Sequence, residues 1–228
     1  MSSPLGESTW TDHWEAERRP LLVVPVGSCE QHGPHLPLDT DTRIAMALSE
    51  RLVESFGAGE LVLAPPLGIT ASDEHAKFPG TLSVGTTVFE QVIVELVRSA
   101  TWSGGVVLVN GHGGNRLAVD KAVRQLDREH RRVLSWWPRV EGGDAHAGHT
   151  ETSLMLAIAP HLVRMNKAEA GRTEPLSELI DTMRRRGVQA VSPNGVLGDP
   201  RRATALAGRT LLTRLTIDLC AAVDEWWV

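Results

Sequence analysis

The stretch LLVVPVGSCEQHGPHLPLDTDTR, residues 21–43, joins an unbroken apolar run to a loop that is rich in histidine and carboxylate side chains. The run at 21–26 predicts a short strand that is covered on both faces. The segment 42–56 then carries an apolar stripe at helical spacing, which predicts an amphipathic helix. The stripe consists of Ile44, Leu48, Leu52 and Phe56. The stretch therefore predicts the first strand and the first helix of an α/β fold, joined by a polar loop.

The rest of the chain repeats this alternation of strand and helix. Further apolar runs predict strands at 61–66, 106–110 and 132–137. Such alternation is typical of a mostly parallel sheet with helices on both faces. The predicted fold class is therefore α/β, a three-layer α/β/α sandwich that forms a single domain over residues 1–228.

Two further helices are predicted between these strands, and two follow them. The helix at 87–102 is expected to use Val88, Val92, Leu96 and Ala100 as its apolar face. The helix at 115–130 is expected to turn inward Leu117, Val119, Val123 and Leu126. The later helices are predicted near 176–186 and 203–227.

Composition limits the classes of function. The chain has 228 residues, of which 42% are hydrophobic, enough for one sizeable core. A net charge of -5 argues against a nucleic-acid partner, because phosphate binding needs clustered basic residues. The polar N-terminus argues against a signal peptide. The lack of any run of about 18 apolar residues argues against a membrane span. Two cysteines make no disulfide framework, and we expect a cytoplasmic protein.

The loop after the first strand holds the first candidate ligands. Open α/β sheets bind ligands beyond the carboxyl ends of their strands. Glu30 and His32 stand two residues apart at this end. If the backbone stays extended there, both side chains point to one side, whereas Cys29 and Gln31 point away. Two polar groups beside a buried strand need partners, which favours a site over a solvated loop.

Three more candidates come from other loops. His112 follows the third strand in NGHGGN, Asp41 begins a helix, and Glu151 lies in the glycine-rich GGDAHAGHTETSLML. Imidazole and carboxylate ligands suit zinc, manganese or iron(II). Three carboxylates and two histidines exceed the needs of one zinc ion and suit a pair about 3.5–4 Å apart that shares a carboxylate and a water.

Each of these three residues also has a structural interpretation. Asp41 could cap its helix, and Glu151 could favour the positive end of its own helix. His112 could be a hydrogen-bonded turn residue. The roles of His35, Asp39, His75 and His149 stay open between support of a ligand, pocket lining and simple exposure.

The segments LLVVPVGSCEQHGPHLPLDTD, NGHGGN and HAGHTETS resemble the creatininase family of metal-dependent amidohydrolases. The resemblance implies a creatininase-like fold and hydrolysis of an amide bond with two divalent ions per chain, Fe²⁺ or Zn²⁺ before Mn²⁺. By this resemblance, the metal ligands are Glu30, His32, Asp41 and His112, with Asp41 as the bridge.

The same resemblance assigns two further residues. His146 matches the proton-handling histidine of the family, and Glu151 matches the acid of its ETS segment. Creatininase itself carries a glutamate ligand two residues after the histidine of NGH, where this chain has Gly114. Creatinine hydrolysis is therefore not expected, and Glu151 would complete the shell of the second metal, with a role as general base left open.

The segments GGDAHAGHTETS, AVSPNGVLGDPRRAT and EPLSELIDTMRRRGV are similar to one peptidase subgroup of the family. This implies a modified precursor peptide as substrate, cut before a decarboxylated and cross-linked C-terminal Val-Tyr pair. The alternative is hydrolysis of a small cyclic amide or a formamide. The family also implies a homo-oligomer, a hexamer, in which SPNGVLGDPRRAT could serve an interface or a substrate wall.

Two hypotheses from other classes of protein, a cysteine hydrolase and a phosphate-binding module, compete with the metal hydrolase. Cys29 could act as a nucleophile with His112 as its base. NGHGGN could instead cradle a phosphate, although it lacks the Lys-Ser/Thr ending of a phosphate loop.

Overall fold

The computed structural model describes residues 4–14 and 18–227. Its sheet has four parallel strands in the order β2-β1-β3-β4. The strands are β1 (Leu21–Val26), β2 (Leu61–Leu63), β3 (Gly105–Asn110) and β4 (Val133–Trp136). β2 ends before Pro65 and Pro66, which have no backbone N–H for a neighbouring strand.

The helices follow the predicted alternation. In chain order they are α1 (Trp10–Trp14), α2 (Thr40–Ser55), α3 (Thr86–Ser99), α4 (Arg116–Arg128), α5 (His149–Ile158), α6 (Leu176–Arg186) and α7 (Ala205–Trp227). Within the described part of the chain, no helix is both long and apolar enough to cross a membrane.

Alternate residues of the strands build two cores on the two faces of the sheet. Leu21 and Val23 pack with α2, α5 and α7, whereas Leu22 and Val24 pack with α3 and α4. Each fully buried leucine contributes about 1.5–3 kcal/mol relative to an exposed one. The predicted α/β class with helices on both faces is confirmed. The single domain over 1–228 stays a prediction, and residues 1–3, 15–17 and 228 of that range lie outside the described residues.

Two predicted helix faces are partly wrong. Val88 and Val92 are 53% and 39% exposed, and the buried face of α3 contains Phe89 and Ile93 instead. Both stripes have helical spacing, but the one with phenylalanine and isoleucine removes more apolar area from water. In α4, Leu117 is 54% exposed, although the predicted Val119 and Leu126 are fully buried.

The sheet order explains where a site can form. β1 and β3 are direct neighbours, and Val26 pairs with Asn110 at their carboxyl ends. The loops that follow these two strands therefore leave the sheet side by side. A Cβ at Gly111 would lie 2.5 Å from the backbone oxygen of Asp41, so only glycine lets the start of α2 come this close.

Candidate metal centre

Five candidate ligands converge at the carboxyl edge of the sheet. Four of their side chains are at most 4% exposed and the fifth, Glu151, is 20% exposed. They are Glu30, His32, Asp41, His112 and Glu151. The loops after β1 and β3 and the first turns of α2 and α5 carry them.

Asp41 lies at the middle of this cluster. Its Oδ1 is 3.1 Å from Nε2 of His32, and its Oδ2 is 3.0 Å from Nδ1 of His112. The Ser28 hydroxyl donates a hydrogen bond to Oδ2 at 2.9 Å. The helix N-cap position belongs to Asp39. The carboxylate of Asp41 therefore serves the cluster, and the interpretation of Asp41 as a helix cap is wrong.

Glu30 is the least satisfied group of the cluster. Its carboxylate is fully buried, and neither oxygen has a hydrogen-bond partner among the described residues. Oε2 lies 3.2 Å from Nε2 of His112, and Oε1 lies 3.3 Å from Nε2 of His75. Burial raises the pKa of Glu30 to about 7, against the opposing effect of His112. Because a buried carboxylate without partners is costly, this position fits a cation.

Glu151 reaches the cluster from the opposite side. Its Oε2 accepts a hydrogen bond from the backbone N–H of Ala147 at 2.6 Å and lies 3.8 Å from Nε2 of His32. Asp144 accepts hydrogen bonds from the backbone N–H groups of His149 and Thr150, so it satisfies the N-terminus of α5. Glu151 is thus directed at His32, in addition to any favourable effect on its helix.

The remaining charges compensate one another. Burial disfavours the charged form of both imidazole rings. At His32 the carboxylate of Asp41 outweighs burial, and at His112 the carboxylates of Glu30 and Asp41 outweigh it. The pKa values of both histidines therefore rise to about 10. Burial likewise opposes the charged form of Asp41, yet the two rings hold its pKa well below the usual range. A divalent cation at this site would take the place of those protons.

The donor atoms form compact groups that could hold a metal. Within each group the atoms lie within 4.8 Å of one another. One group is Glu30, Asp41 and His112, and a second is His32, Asp41 and Glu151. These two share only Asp41. A third group combines Glu30 and His32 with His146. Mixed imidazole and carboxylate donors suit zinc, manganese or iron(II).

His146 lies against this cluster as a neutral ring. Its Nε2–H donates a hydrogen bond to the backbone oxygen of Gln31 at 2.8 Å, and its Nδ1 lies 3.8 Å from Oε1 of Glu30. Burial and the nearby His32 lower the pKa of His146 well below its usual value. The ring therefore presents an unprotonated nitrogen towards Glu30.

Three residues beside the site were not among the predicted site residues. The expectation that Gln31 points away is wrong, because residues 30–33 have left the strand and no longer alternate. The Gln31 amide lies 2.8 Å from Nδ1 of His75. His75, whose role the sequence left open, faces Glu30. Glu74 lies 3.9 Å from Nε2 of His112. The segment SDEH is the sequence signal that could have indicated Glu74 and His75 together.

Gly114 leaves no room for a side chain. A Cβ there would collide with Oε1 of Glu74 and Nε2 of His112 and would lie 2.8 Å from the backbone oxygen of Ala71. The space in front of Gly114 is thus already filled by the carboxylate of Glu74 and by the imidazole ring.

The other ambiguous polar residues lie outside the cluster. His35 bonds through Nε2 to Oγ1 of Thr152 at 2.9 Å, and Asp39 pairs with Arg43 at 2.8 Å. His149 lies in the first turn of α5, and its backbone N–H donates a hydrogen bond to Asp144. None of the three candidates contributes to the metal-binding groups found in the described chain.

The interpretation as a cysteine hydrolase requires a contact between Cys29 and His112, which the structure does not show. Sγ of Cys29 faces the backbone oxygen of Gly80 at 3.7 Å. Both ring nitrogens of His112 are directed elsewhere, Nδ1 at Asp41 and Nε2 at the backbone oxygen of Ala71. The phosphate-cradle reading also weakens, because His112 in NGHGGN faces two carboxylates, which would repel an anion.

The segment 192–198 forms a wall beside His146. Leu197 pairs with His146 in an antiparallel bridge, and Val196 and Leu197 are at most 3% exposed. The part of SPNGVLGDPRRAT nearest the cluster is thus buried within the chain itself.

Comparison with known proteins agrees with this architecture. The family model "Creatininase: Creatinine amidohydrolase" matches residues 6–223. The "Mycofactocin precursor peptide peptidase" of Mycolicibacterium smegmatis is 47% identical over 231 residues, covering 99% of this chain and 93% of the relative. The protein of the same name from Mycobacterium ulcerans is 48% identical over 215 residues, covering 91% and 86%. A solved structure described as "Creatininase Mn" has a TM-score of 0.80 at 24% identity and covers 99% of this chain and 98% of the other.

The family match and the close relatives place the chain among amide hydrolases, and the clustered donors form a site that could hold metal. The chain belongs to the creatininase family and acts on amide bonds. The resemblance to the family and to its peptidase subgroup is confirmed.

Proposed function

We propose that this chain is a two-metal peptidase that removes the modified C-terminal Val-Tyr unit from the mycofactocin precursor peptide. The observation that carries the proposal is the arrangement of donors around Asp41, which gives two ligand groups with one shared carboxylate. The relatives named as mycofactocin precursor peptide peptidases support the choice of substrate.

The residues present fit a pair of ions. Glu30 and His112 would hold one ion, His32 and Glu151 would hold the other, and Asp41 would contact both. Fe²⁺ and Zn²⁺ are the proposed ions, and Mn²⁺ is compatible with the same donors. When bound, such ions activate water and polarise the scissile carbonyl group. The unpartnered oxygens of Glu30 support this assignment independently of the relatives.

His146 would move the proton in this reaction. Because Nε2–H is held by the backbone of Gln31, Nδ1 is the nitrogen free to accept a proton and to pass it to the leaving amine. Burial and the nearby His32 lower the pKa of His146, which keeps the ring neutral before the reaction. Glu151, held by the N–H of Ala147 near His32, would act as ligand, and a role as general base is the alternative.

The homo-oligomer, expected from the family resemblance, stays a prediction. So does the cytoplasmic location, expected from the polar N-terminus and the two cysteines. The apolar valines of α3 that are exposed in this chain are compatible with contacts to other copies, but they identify no partner by themselves.

Mass spectrometry of the modified precursor peptide tests the proposal. We expect the protein to remove the C-terminal pair, and we expect a chelator-treated sample to leave the peptide intact. The unmodified peptide serves as a substrate control. If a metal-loaded protein leaves the modified peptide intact, the peptidase proposal is wrong and a small cyclic amide or formamide becomes the substrate to test.

A further inference from the structure

The side-chain amide of Gln31 lies behind the candidate metal centre and is nearly buried. Gln31 is 6% exposed. Its Oε1 accepts a hydrogen bond from the backbone N–H of Gly33 at 2.9 Å, and its Nε2 donates to the backbone oxygen of Gly195 at 3.0 Å. These two partners fix which end of the amide is oxygen and which is nitrogen, because a flipped amide would place like groups together.

The second N–H of this amide is then directed at His75. Nε2 of Gln31 lies 2.8 Å from Nδ1 of His75. Since the amide nitrogen can only donate, Nδ1 of His75 must accept, and the ring proton lies on Nε2. The contact of 3.1 Å between the amide nitrogen and Nε2 of His146 is packing, because that ring N–H already donates to the backbone oxygen of Gln31.

The nitrogen of His75 that carries the proton lies next to the carboxylate of Glu30, a proposed ligand of the centre. Nε2 of His75 lies 3.3 Å from Oε1 of Glu30. The other oxygen of Glu30 is on the side of His112. A ring N–H fixed beside Oε1, close to that oxygen but not hydrogen-bonded to it, would attract Oε1 electrostatically and leave Oε2 for a cation. Outer groups of this kind orient the ligand that they contact.

We propose that Gln31 is a positioning residue that orients the Glu30 carboxylate through the ring of His75. The chain of contacts runs from the turn at Gly195, through the Gln31 amide and the His75 ring, to Glu30. This inference rests on the proposed role of Glu30 as a metal ligand and adds a residue that acts on it through another.

Gly195 is part of the same arrangement. It has φ of +79°, and a Cβ there would collide with Oε1 of Gln31. Glycine at this turn thus lets the backbone oxygen approach the amide closely. The segment 192–198 therefore contacts the Gln31 side chain through the backbone oxygen of Gly195.

Nitrogen-15 NMR of ring-labelled histidines in Zn²⁺-loaded protein tests the proposal, together with Zn²⁺ affinity measured by calorimetry. The signal of His75 is assigned by its loss in His75→Phe. In the wild type we expect the Nε2–H tautomer at His75. In Gln31→Met we expect a mixture of tautomers and a Kd for Zn²⁺ that is about 10–100-fold weaker. Gln91→Met, an exposed glutamine of α3, is the matched control and should match the wild type.

A double-variant comparison separates action through His75 from general damage. In the His75→Phe background, Gln31→Met should weaken Zn²⁺ binding no further, because the intermediate ring is gone. If Gln31→Met does not fold, Gln31→Asn keeps the amide but draws it back from His75, and the same changes are expected.

An unchanged His75 tautomer with wild-type Zn²⁺ affinity in the folded variant would overturn the proposal, as would an equal loss in both backgrounds. The tautomer is read without any peptide. Failure of the peptidase proposal would therefore leave this result intact, and the two can be told apart.

Discussion

The carboxylate of Asp41, in the first turn of α2, lies 3.0 Å through Oδ2 from Nδ1 of His112, which follows β3. These two residues are 71 positions apart in sequence, and the neighbouring ends of β1 and β3 bring them together. The other oxygen of Asp41 contacts His32, so this carboxylate joins both halves of the cluster.

Asp41→Asn should deplete bound metal, because it removes the negative charge that both donor groups share. We expect metal affinity to fall by more than about tenfold, measured as metal content after dialysis against a fixed free-metal concentration. Asp39→Asn is the matched control, since Asp39 is half-buried and pairs with Arg43 outside the cluster. Full metal retention in Asp41→Asn would contradict the ligand assignment.

His146→Ala should lower kcat for peptide cleavage by about 10²–10⁴-fold, because it removes the proposed proton carrier. Metal content should stay near that of the wild type. His161→Ala, an exposed histidine, controls for the loss of an imidazole. If His146→Ala instead loses metal, His146 is a ligand, as its group with Glu30 and His32 also permits.

Gly114→Ala should destabilise the centre, because its methyl group would collide with Glu74 and His112. We expect a loss of about 1–3 kcal/mol in the free energy of unfolding, measured by urea denaturation, and reduced metal binding. The neighbouring Gly113→Ala meets no atom within 4 Å and should stay within about 0.5 kcal/mol of the wild type. Equal effects of the two substitutions would show that the space at residue 114 is not filled as described.

His75 should make the metal-free protein less stable in acid. Burial, with His112 and His32 nearby, lowers the pKa of folded His75 from 6.5 to about 3. Between these pH values His75 is protonated in the unfolded chain but not in the folded chain. The free energy of unfolding should therefore fall as pH falls from 6.5 towards 3. The stability that depends on neutral His75 is fully present above pH 6.5.

His75→Gln should remove this contribution. In urea denaturation at a series of pH values, the slope of the free energy of unfolding against pH should be smaller by up to about 1.4 kcal/mol per pH unit. His161→Gln, at an exposed histidine outside the cluster, serves as the substitution control. A slope unchanged by His75→Gln would mean that folded His75 titrates near its usual value.

Much of the fold could be predicted because strand and helix periodicities are local. The strand at 21–26 was predicted with its observed bounds, and the helix at Leu176–Arg186 agrees as well. The inward faces of α3 and α4 were harder to predict. Val88 and Leu117 lie on apolar stripes of helical spacing, but each helix also carries another stripe that packs against the sheet. Only the packed sheet decides between such stripes.

The residues of the candidate site could be named from sequence, but not their mutual contacts. Glu30, His32 and Asp41 come from one loop and the helix after it, so sequence proximity indicates them. Gln31 stands between two of these residues but was expected to point away, and Glu74 was not singled out. The first lies where strand alternation ends, and the second reaches His112 only through the packing of the loop after β2.

The most direct test of the central claim is the metal stoichiometry at which peptide cleavage returns to chelator-treated protein. Cleavage of the modified precursor peptide should be absent without metal and should reach its plateau at two ions per chain. Full cleavage by protein that contains no metal would contradict the account, and so would a plateau at one ion with no further binding.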